Sequence, residues 1–212
     1  MTIPERVAER GVQEIVHFTT NHGCLGSLYT KLLQSRQQLR GDPLVEYLFE
    51  PNVAFRKDTA FVDYVSLSVS HINTDFYRTC ADSWHRDEPI FWCIMSFDPA
   101  VLGHPGVIFA TTNNIYTGVT RGQGLAGFDG MFAKTITRWH GNVVHRANHL
   151  PANLPTCTQA EALVPTAVST DYLQRIYVQS ANDQSEVVGF TKATFHRDID
   201  VVVDPAKFGS RI

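Results

Sequence analysis

The run Phe91-Trp92-Cys93-Ile94-Met95-Ser96-Phe97 is apolar at every position but Ser96. A strand with one wet face alternates apolar and polar residues, so a run apolar on both parities has to be covered on both faces. It is therefore expected to be the central strand of a sheet, closed by Asp98-Pro99, because proline cannot donate to a ladder. Residues 62–69 (Val62-Asp63-Tyr64-Val65-Ser66-Leu67-Ser68-Val69) alternate instead, the period of a half-buried strand. Further strands are expected over residues 12–20, from Gly106, and over residues 161–165 and 173–179. Residues 187–195 and 199–203 close the domain. Leu25, Leu28 and Leu32, spaced i, i+3, i+7, predict a helix over residues 23–33.

The remaining segments are read as a polar, frayed or helical lead-in (1–14), a loop (34–42), a short helix (43–50) and one or two helical turns (126–133). Short strands interrupted by helices, without regular βαβ alternation, predict one mixed α+β domain over residues 1–212.

Composition narrows the function. The chain has 212 residues, 43% of them apolar and 18% charged, which predicts a soluble globular protein with its own core. A net charge of -3 excludes a globally basic nucleic-acid binder but leaves room for a local basic groove. Four scattered cysteines, no leader sequence and no long apolar span predict reduced thiols in a cytoplasmic protein with no membrane association. None of the nine histidines falls in a His-x-x-x-His helical pair with a carboxylate nearby, so no metal is expected. No glycine-rich phosphate loop follows a strand.

Two polar constellations sit on apolar runs. In Leu154-Pro155-Thr156-Cys157-Thr158-Gln159-Ala160-Glu161-Ala162-Leu163-Val164-Pro165 the amide of Gln159 and the carboxylate of Glu161 are two residues apart, hence on one face of an extended segment. That pair suits gripping a sugar and stabilising positive charge on it. Val16-His17-Phe18-Thr19-Thr20 ends an earlier strand where a helix begins, a joint at which a ligand can meet exposed backbone N–H groups. Taken singly, His17 is as well explained as a core histidine, Glu161 as a surface carboxylate and Ser68 as the polar face of its strand.

Taken together these residues resemble the DarT family, bacterial toxins that ADP-ribosylate DNA bases using NAD. The resemblance spans about residues 15–178. It rests on His17-Phe18-Thr19 with the Gly26/Leu28 helix, on Val65-Ser66-Leu67-Ser68-Val69, on Val107-Ile108-Phe109-Ala110-Thr111-Thr112-Asn113-Asn114, on residues 128–133, and above all on Leu154-Pro155-Thr156 leading to Gln159-Ala160-Glu161. It implies an ADP-ribosyltransferase-like split, bent mixed sheet with flanking helices, and NAD in the crevice between the halves. It also implies that His17, Phe18, Thr19, Gly26 and Ser68 bind NAD, that Glu161 is the catalytic carboxylate, and that Gln159 presents the acceptor base. NAD is consumed as co-substrate.

The sequence departs from the family at one place. The arginine that thymidine-modifying members carry after the strand matching Val65–Val69 is missing from Ser70-His71-Ile72-Asn73-Thr74-Asp75-Phe76-Tyr77-Arg78. His71, Asn73, Arg78 and Arg56 are the alternatives, and the acceptor is guanine or thymine. Attack by a base nitrogen needs a proton acceptor, either Glu161 or His71. A paired base hides that nitrogen, so single-stranded or flipped DNA is expected, bound on a basic groove with aromatic platforms. Arg138-Trp139-His140-Gly141-Asn142-Val143-Val144-His145-Arg146 supplies Arg138, Trp139 and Arg146 for that role, unless it is a solvated hairpin. Ser83-Trp84-His85-Arg86-Asp87 is a second candidate.

The resemblance further implies a toxin paired with a macrodomain-type or other ADP-ribosyl-hydrolase antitoxin. Transfer to RNA or protein, NAD hydrolysis by water, and a catalytically dead nucleotide-binding module are the competing expectations.

Overall fold

The computed structural model describes residues 1–39, 60–139 and 141–209; the helix expected over 43–50 lies outside them, as do Arg56 and His140. Its centre is an eight-stranded sheet in the order β12-β11-β4-β1-β3-β9-β5-β6. The strands are β1 (Ile15–Thr20), β3 (Tyr64–Val69), β4 (Trp92–Phe97), β5 (Ile108–Ala110), β6 (Arg121–Gln123), β9 (Glu161–Pro165), β11 (Leu173–Val178) and β12 (Asp200–Val203). Two small pairs lie outside it: β2 (Leu32–Gln34) with β10 (Ala167–Ser169), and the hairpin of β7 (Thr135–Thr137) with β8 (Val143–His145). Five α-helices flank the sheets among the described residues: α1 (Ile3–Glu9), α2 (Asn21–Thr30), α3 (Thr74–Thr79), α4 (Gly124–Gly130) and α5 (Ala181–Ala193). The expected mixed α+β class is borne out.

Strand β4 is buried along its whole length, as its sequence requires. Cys93, Met95 and Phe97 enter the larger core with Ile15, Leu67, Phe109 and Ile176, while Trp92 and Ile94 join Val16, Tyr77 and Phe208 on the other face. Strand β3 alternates half-buried and buried residues, so its polar Ser66 and Ser68 look one way and Val65, Leu67 and Val69 the other.

Helix α2 starts where expected but ends early. Thr20 caps it by accepting from the Gly23 N–H, and Lys31, at φ 58°, turns the chain out of the helix. Thr170 N–H holds the Lys31 carbonyl, and the chain continues as β2 against β10. Leu32 is therefore in a strand, not on the helix, and the buried helical face runs through Cys24, Ser27 and Leu28.

Strand β6 and helix α5 carry no sequence expectation as such. Gly122 in β6 and Gly127 in α4 are pressed together: a Cβ on Gly127 would lie 2.4 Å from the Gly122 carbonyl, so no larger residue fits without moving the helix. Helix α5, opened by a capping box of Ser180 and Asp183, carries the chain from β11 to the parallel β12. No helix among the described residues is long and apolar enough to cross a membrane.

Candidate active site

Strand β1 pairs with β4 at all six of its residues, but with β3 only at Ile15/Val69 and Val16/Ser68. Beyond that point β1 and β3 part, and a cleft opens between the halves of the sheet. His17 sits at the fork. Its Nδ1 is 2.9 Å from the Ser66 carbonyl, spanning the gap the ladder leaves. A carbonyl only accepts, so Nδ1 carries the proton, and in the neutral ring Nε2 is an acceptor turned to other use.

The cleft has two chambers that share Arg36, Tyr64, Ser66, Phe76, Trp84 and Glu161. The inner one is lined by His17, Phe18, Thr19, Ser68 and Asn73, the outer one by Asp75, Asn113, Asn114, Tyr116 and Gln159. Rings build the inner wall: Phe18 meets Phe76 and Tyr77 edge-on at 5.6 Å, and Phe76 meets Trp84 at 5.7 Å. Trp84 is delivered by a single π-helical turn, Cys80–Trp84, that follows α3.

Glu161 is the first residue of β9, opposite Ala110 of β5. One carboxylate oxygen accepts from the Asn114 N–H at 2.9 Å. Asn114 is itself clamped: Arg121 Nε donates to its Oδ1 at 2.6 Å and Nη2 to its carbonyl at 2.5 Å. One oxygen of the carboxylate is thus oriented by a backbone N–H that a guanidinium holds in place. Gln159 precedes the strand rather than lying in it, yet it lines the outer chamber beside Glu161. The two side chains share a cleft because the turn at 158–159 brings them there, not because of strand alternation.

Of the expected NAD-binding residues, His17, Phe18, Thr19 and Ser68 meet in one chamber; Gly26, buried in the middle of α2, is not among its lining residues. His71 is not there either; its Nδ1 turns to the Ile72 carbonyl at 3.1 Å. Of the alternatives to the family arginine, Asn73 lines the cleft and Arg78, on the exposed face of α3, does not. Among the described residues the cation that lines it, in both chambers, is Arg36, which lies in the stretch expected to be a polar loop.

The basic, aromatic stretch divides. It is a hairpin, and its Arg138 and Trp139 stand at the rim of the outer chamber: the guanidinium covers the Trp139 ring at 4.3 Å, and that ring meets Tyr116 at 4.8 Å. Gly118 keeps this contact close, since a Cβ there would be 2.9 Å from the Arg138 carbonyl. Arg146 is engaged elsewhere. Its guanidinium donates to the carbonyls of Leu154 and Pro151, both at 2.8 Å, and so ties down the loop that leads to Gln159 and Glu161. Of the second candidate stretch only Trp84 lines the cleft; Arg86 donates to the Asp82 carbonyl.

The polar atoms of the cleft suit a dinucleotide. Gln34 Oε1, Ser35 Oγ and Asn73 Nδ2 around the inner chamber, and Gln159 Oε1 at the outer, are buried with no hydrogen-bond partner among the described residues. Buried polar atoms are normally paired, so these fit the hydroxyl, amide and phosphate groups of NAD.

A family model for DarT, described as ssDNA thymidine ADP-ribosyltransferase, matches residues 49–209, well over half of the chain. The chain belongs to the DarT family. The family's activity is NAD-dependent transfer of ADP-ribose to single-stranded DNA, so the expected family, enzyme class and co-substrate stand.

Solved DarT structures share its fold at low identity. Thermus sp. 2.9 DarT in complex with carba-NAD+ is 13% identical with a TM-score of 0.63, over 92% of this chain and 97% of that one. The same protein in complex with ADP-ribosylated ssDNA is 16% identical with a TM-score of 0.59, over 93% and 96%. Thermosipho africanus DarTG in complex with ADP-ribose is 15% identical with a TM-score of 0.55, over 92% of this chain and 51% of that one. Nothing among curated proteins matches the sequence. Among the described residues no group of His, Cys, Asp and Glu could hold a metal ion.

Proposed function

We propose that this chain holds NAD across the split between β1 and β3 and transfers its ADP-ribose to a keto base, thymine or guanine, of single-stranded DNA. The observation that carries the proposal is that His17 and Glu161 face one chamber, on strands from the two halves of the sheet. In this reading His17 holds the nicotinamide ribose and Phe18, Phe76 and Trp84 enclose the nicotinamide. Arg36, at the junction of the chambers, meets the diphosphate.

Breaking the nicotinamide–ribose bond leaves positive charge on the sugar. Glu161 accepts a hydrogen bond from a ribose hydroxyl, and this bond strengthens as charge develops in the narrow, ring-lined cleft. Nicotinamide departs with the bonding electron pair, the base nitrogen bonds to the vacated carbon, and the base loses its N–H proton to Glu161. His71 lines neither chamber, and in this reading Glu161 is the proton acceptor. Tyr116, Trp139 and Arg138 offer ring faces and a cation at the rim, the combination that single strands stack on.

Such a mark on DNA blocks the template, so we assign the chain the role of a cytoplasmic toxin. Its partner is an antitoxin that hydrolyses the mark, of the macrodomain type; the DarTG likeness supports a pairing of this kind.

The test is incubation of the purified chain with labelled NAD and separate pools of single-stranded DNA, RNA and protein, followed by mass spectrometry of the released nucleosides. ADP-ribosylated thymidine or deoxyguanosine is the expected product. Label on protein alone, or NAD consumed with no labelled polymer, would overturn the assignment.

A further inference from the structure

Of the large apolar side chains that stand exposed among the described residues, Ile115 alone lines the cleft. It is 58% exposed and belongs to the outer chamber. The backbone that carries it is a tight turn. Tyr116 N–H donates to the Asn113 carbonyl at 3.1 Å, which sets Asn114 and Ile115 at the two central positions. Asn113 Oδ1 accepts from the Ile115 N–H, also at 3.1 Å, and closes the turn a second time.

Central turn positions suit Asn, Asp, Ser and Gly, whose short or absent side chains serve the local backbone. A β-branched aliphatic residue does nothing for such a turn, and its exposed surface is unfavourable in water. What Ile115 supplies is shape. Its branched Cβ leaves it few rotamers, so a stiff apolar knob stands in the chamber on a backbone closed by hydrogen bonds. Its neighbours fix its place. Ile115 follows the residue whose N–H holds Glu161, and it precedes Tyr116, whose ring meets Trp139 at the rim.

We propose that Ile115 is a wedge that parts the base to be marked from its neighbour in the strand. Bases of a single strand stack on one another, and one of them meets the acid only after leaving that stack. Ile115 enters the step, covers the apolar face that the neighbouring base gives up, and keeps the freed base turned into the outer chamber. An apolar side chain suits this use, because it replaces the lost stacking contact without asking for a hydrogen bond. Since the wedge and the N–H that orients Glu161 belong to consecutive residues, the base is released beside the acid. This inference rests on the transfer to single-stranded DNA proposed above, and it adds the residue that brings the base out of the stack.

The experiment measures kcat/KM for DNA with the full chain and saturating NAD, on single strands that carry one base the wild type marks. One strand has ordinary neighbours. In two others the 5′ or the 3′ neighbour is an abasic site, so no stack has to be parted on that side. Ile115→Ser, which suits the turn, should be about tenfold slower than wild type on the intact strand, because unstacking then goes uncompensated. On one of the two abasic strands the two proteins should agree within about twofold, since nothing is left for the wedge to displace. Ile115→Leu keeps an apolar knob and should stay within about threefold of wild type throughout.

A defect in folding or in NAD binding would slow Ile115→Ser alike on all three strands, so dependence on the neighbour isolates the wedge. Ile115→Ser as fast as wild type on the intact strand, or slowed by one factor on all three, overturns the inference while DNA transfer stands. Ile115→Leu as slow as Ile115→Ser overturns it too, because apolar bulk is what the wedge supplies. So does a wild type that marks neither abasic strand, since it would be reading its neighbours rather than parting them. A wild type that marks no intact strand fails the transfer reading itself.

Discussion

Two carboxylates stand at the start of two strands, and they are used in opposite ways. Glu14 precedes β1 and is saturated: Ser96 Oγ and Tyr177 Oη donate to it at 2.6 and 2.9 Å, and the Lys207 ammonium completes the set. Glu161 opens β9 in the cleft, with one oxygen fixed by the Asn114 N–H. The first network pins the turn at Pro205–Phe208 to the sheet, and the second, in the proposed reading, holds an acid at the sugar of NAD. A carboxylate surrounded by donors stabilises the fold, whereas the role proposed for Glu161 is to stabilise a transition state.

The comparison breaks if the two residues can be exchanged in effect. Glu161→Gln keeps the shape and the bond to Asn114 but removes the charge. ADP-ribose transfer should fall by roughly 10²–10³, measured as labelled DNA per minute, because electrostatic groups of this kind contribute on that scale. Its melting temperature should stay within about 2 °C of wild type, since the shape and the bond to Asn114 are kept. Retained transfer would remove Glu161 from the chemistry.

Glu14→Gln should do the reverse. Weakening charge-assisted hydrogen bonds costs about 2 kcal/mol, which for a chain of this size lowers the melting temperature by about 4–8 °C. Transfer measured at 20 °C should remain within about twofold.

The same network predicts a pH window. Burial pushes the Glu14 carboxyl up, but Lys207, Ser96 and Tyr177 outweigh that and hold it below its ordinary 4.5. Burial pushes the Lys207 ammonium down, and Glu14 outweighs that and holds it above its ordinary 10.5. A depressed carboxyl contributes stability that is present above 4.5 and lost as pH falls through the folded value. A raised ammonium contributes stability that is present below 10.5 and lost as pH rises through its folded value. Denaturant midpoints of wild type and Glu14→Gln should therefore differ most between those limits and converge in acid.

How the two sites were read from sequence differs too. Strands β3, β4 and β9 were legible because alternation, or its absence, is written in consecutive residues. Glu161 and His17 were legible because each sits on such a strand, within a pattern shared with a family. The end of α2 was not, since Lys31 takes a left-handed turn without the usual glycine. Strand β6 was not, since Arg121-Gly122-Gln123 carries no pattern. The Ser180/Asp183 box that starts α5 is a local signal that the sequence does carry. Arg36, Asp75 and Tyr116 come from three distant segments, and nothing local distinguishes them from solvated loop residues. They become a site only when the sheet splits.

A smaller effect sharpens the Asn114 clamp. Arg121→Ala leaves every group that faces NAD or DNA in place but frees Asn114, and with it the Glu161 carboxylate. A misoriented acid lowers turnover more than binding. We expect kcat to drop about tenfold with KM for NAD within about twofold. Equal changes in both would mean that Arg121 serves the fold of β6 rather than the acid.

The finest test separates two arginines eight residues apart. Arg138 stacks on Trp139 at the rim, whereas Arg146 is tied to backbone carbonyls of the 151–154 loop. Each phosphate contact on a single strand contributes about 0.7 to the slope of log affinity against log salt. Arg138→Ala should flatten that slope by about 0.7, with an unchanged melting temperature, in anisotropy titrations of a labelled single strand. Arg146→Ala should leave the slope as it is and lower the melting temperature, because its hydrogen bonds support the loop ahead of Gln159 rather than the nucleic acid. If Arg146→Ala flattened the slope instead, the strand would have to pass over the far end of the hairpin, and the outer chamber would no longer be where the base is delivered.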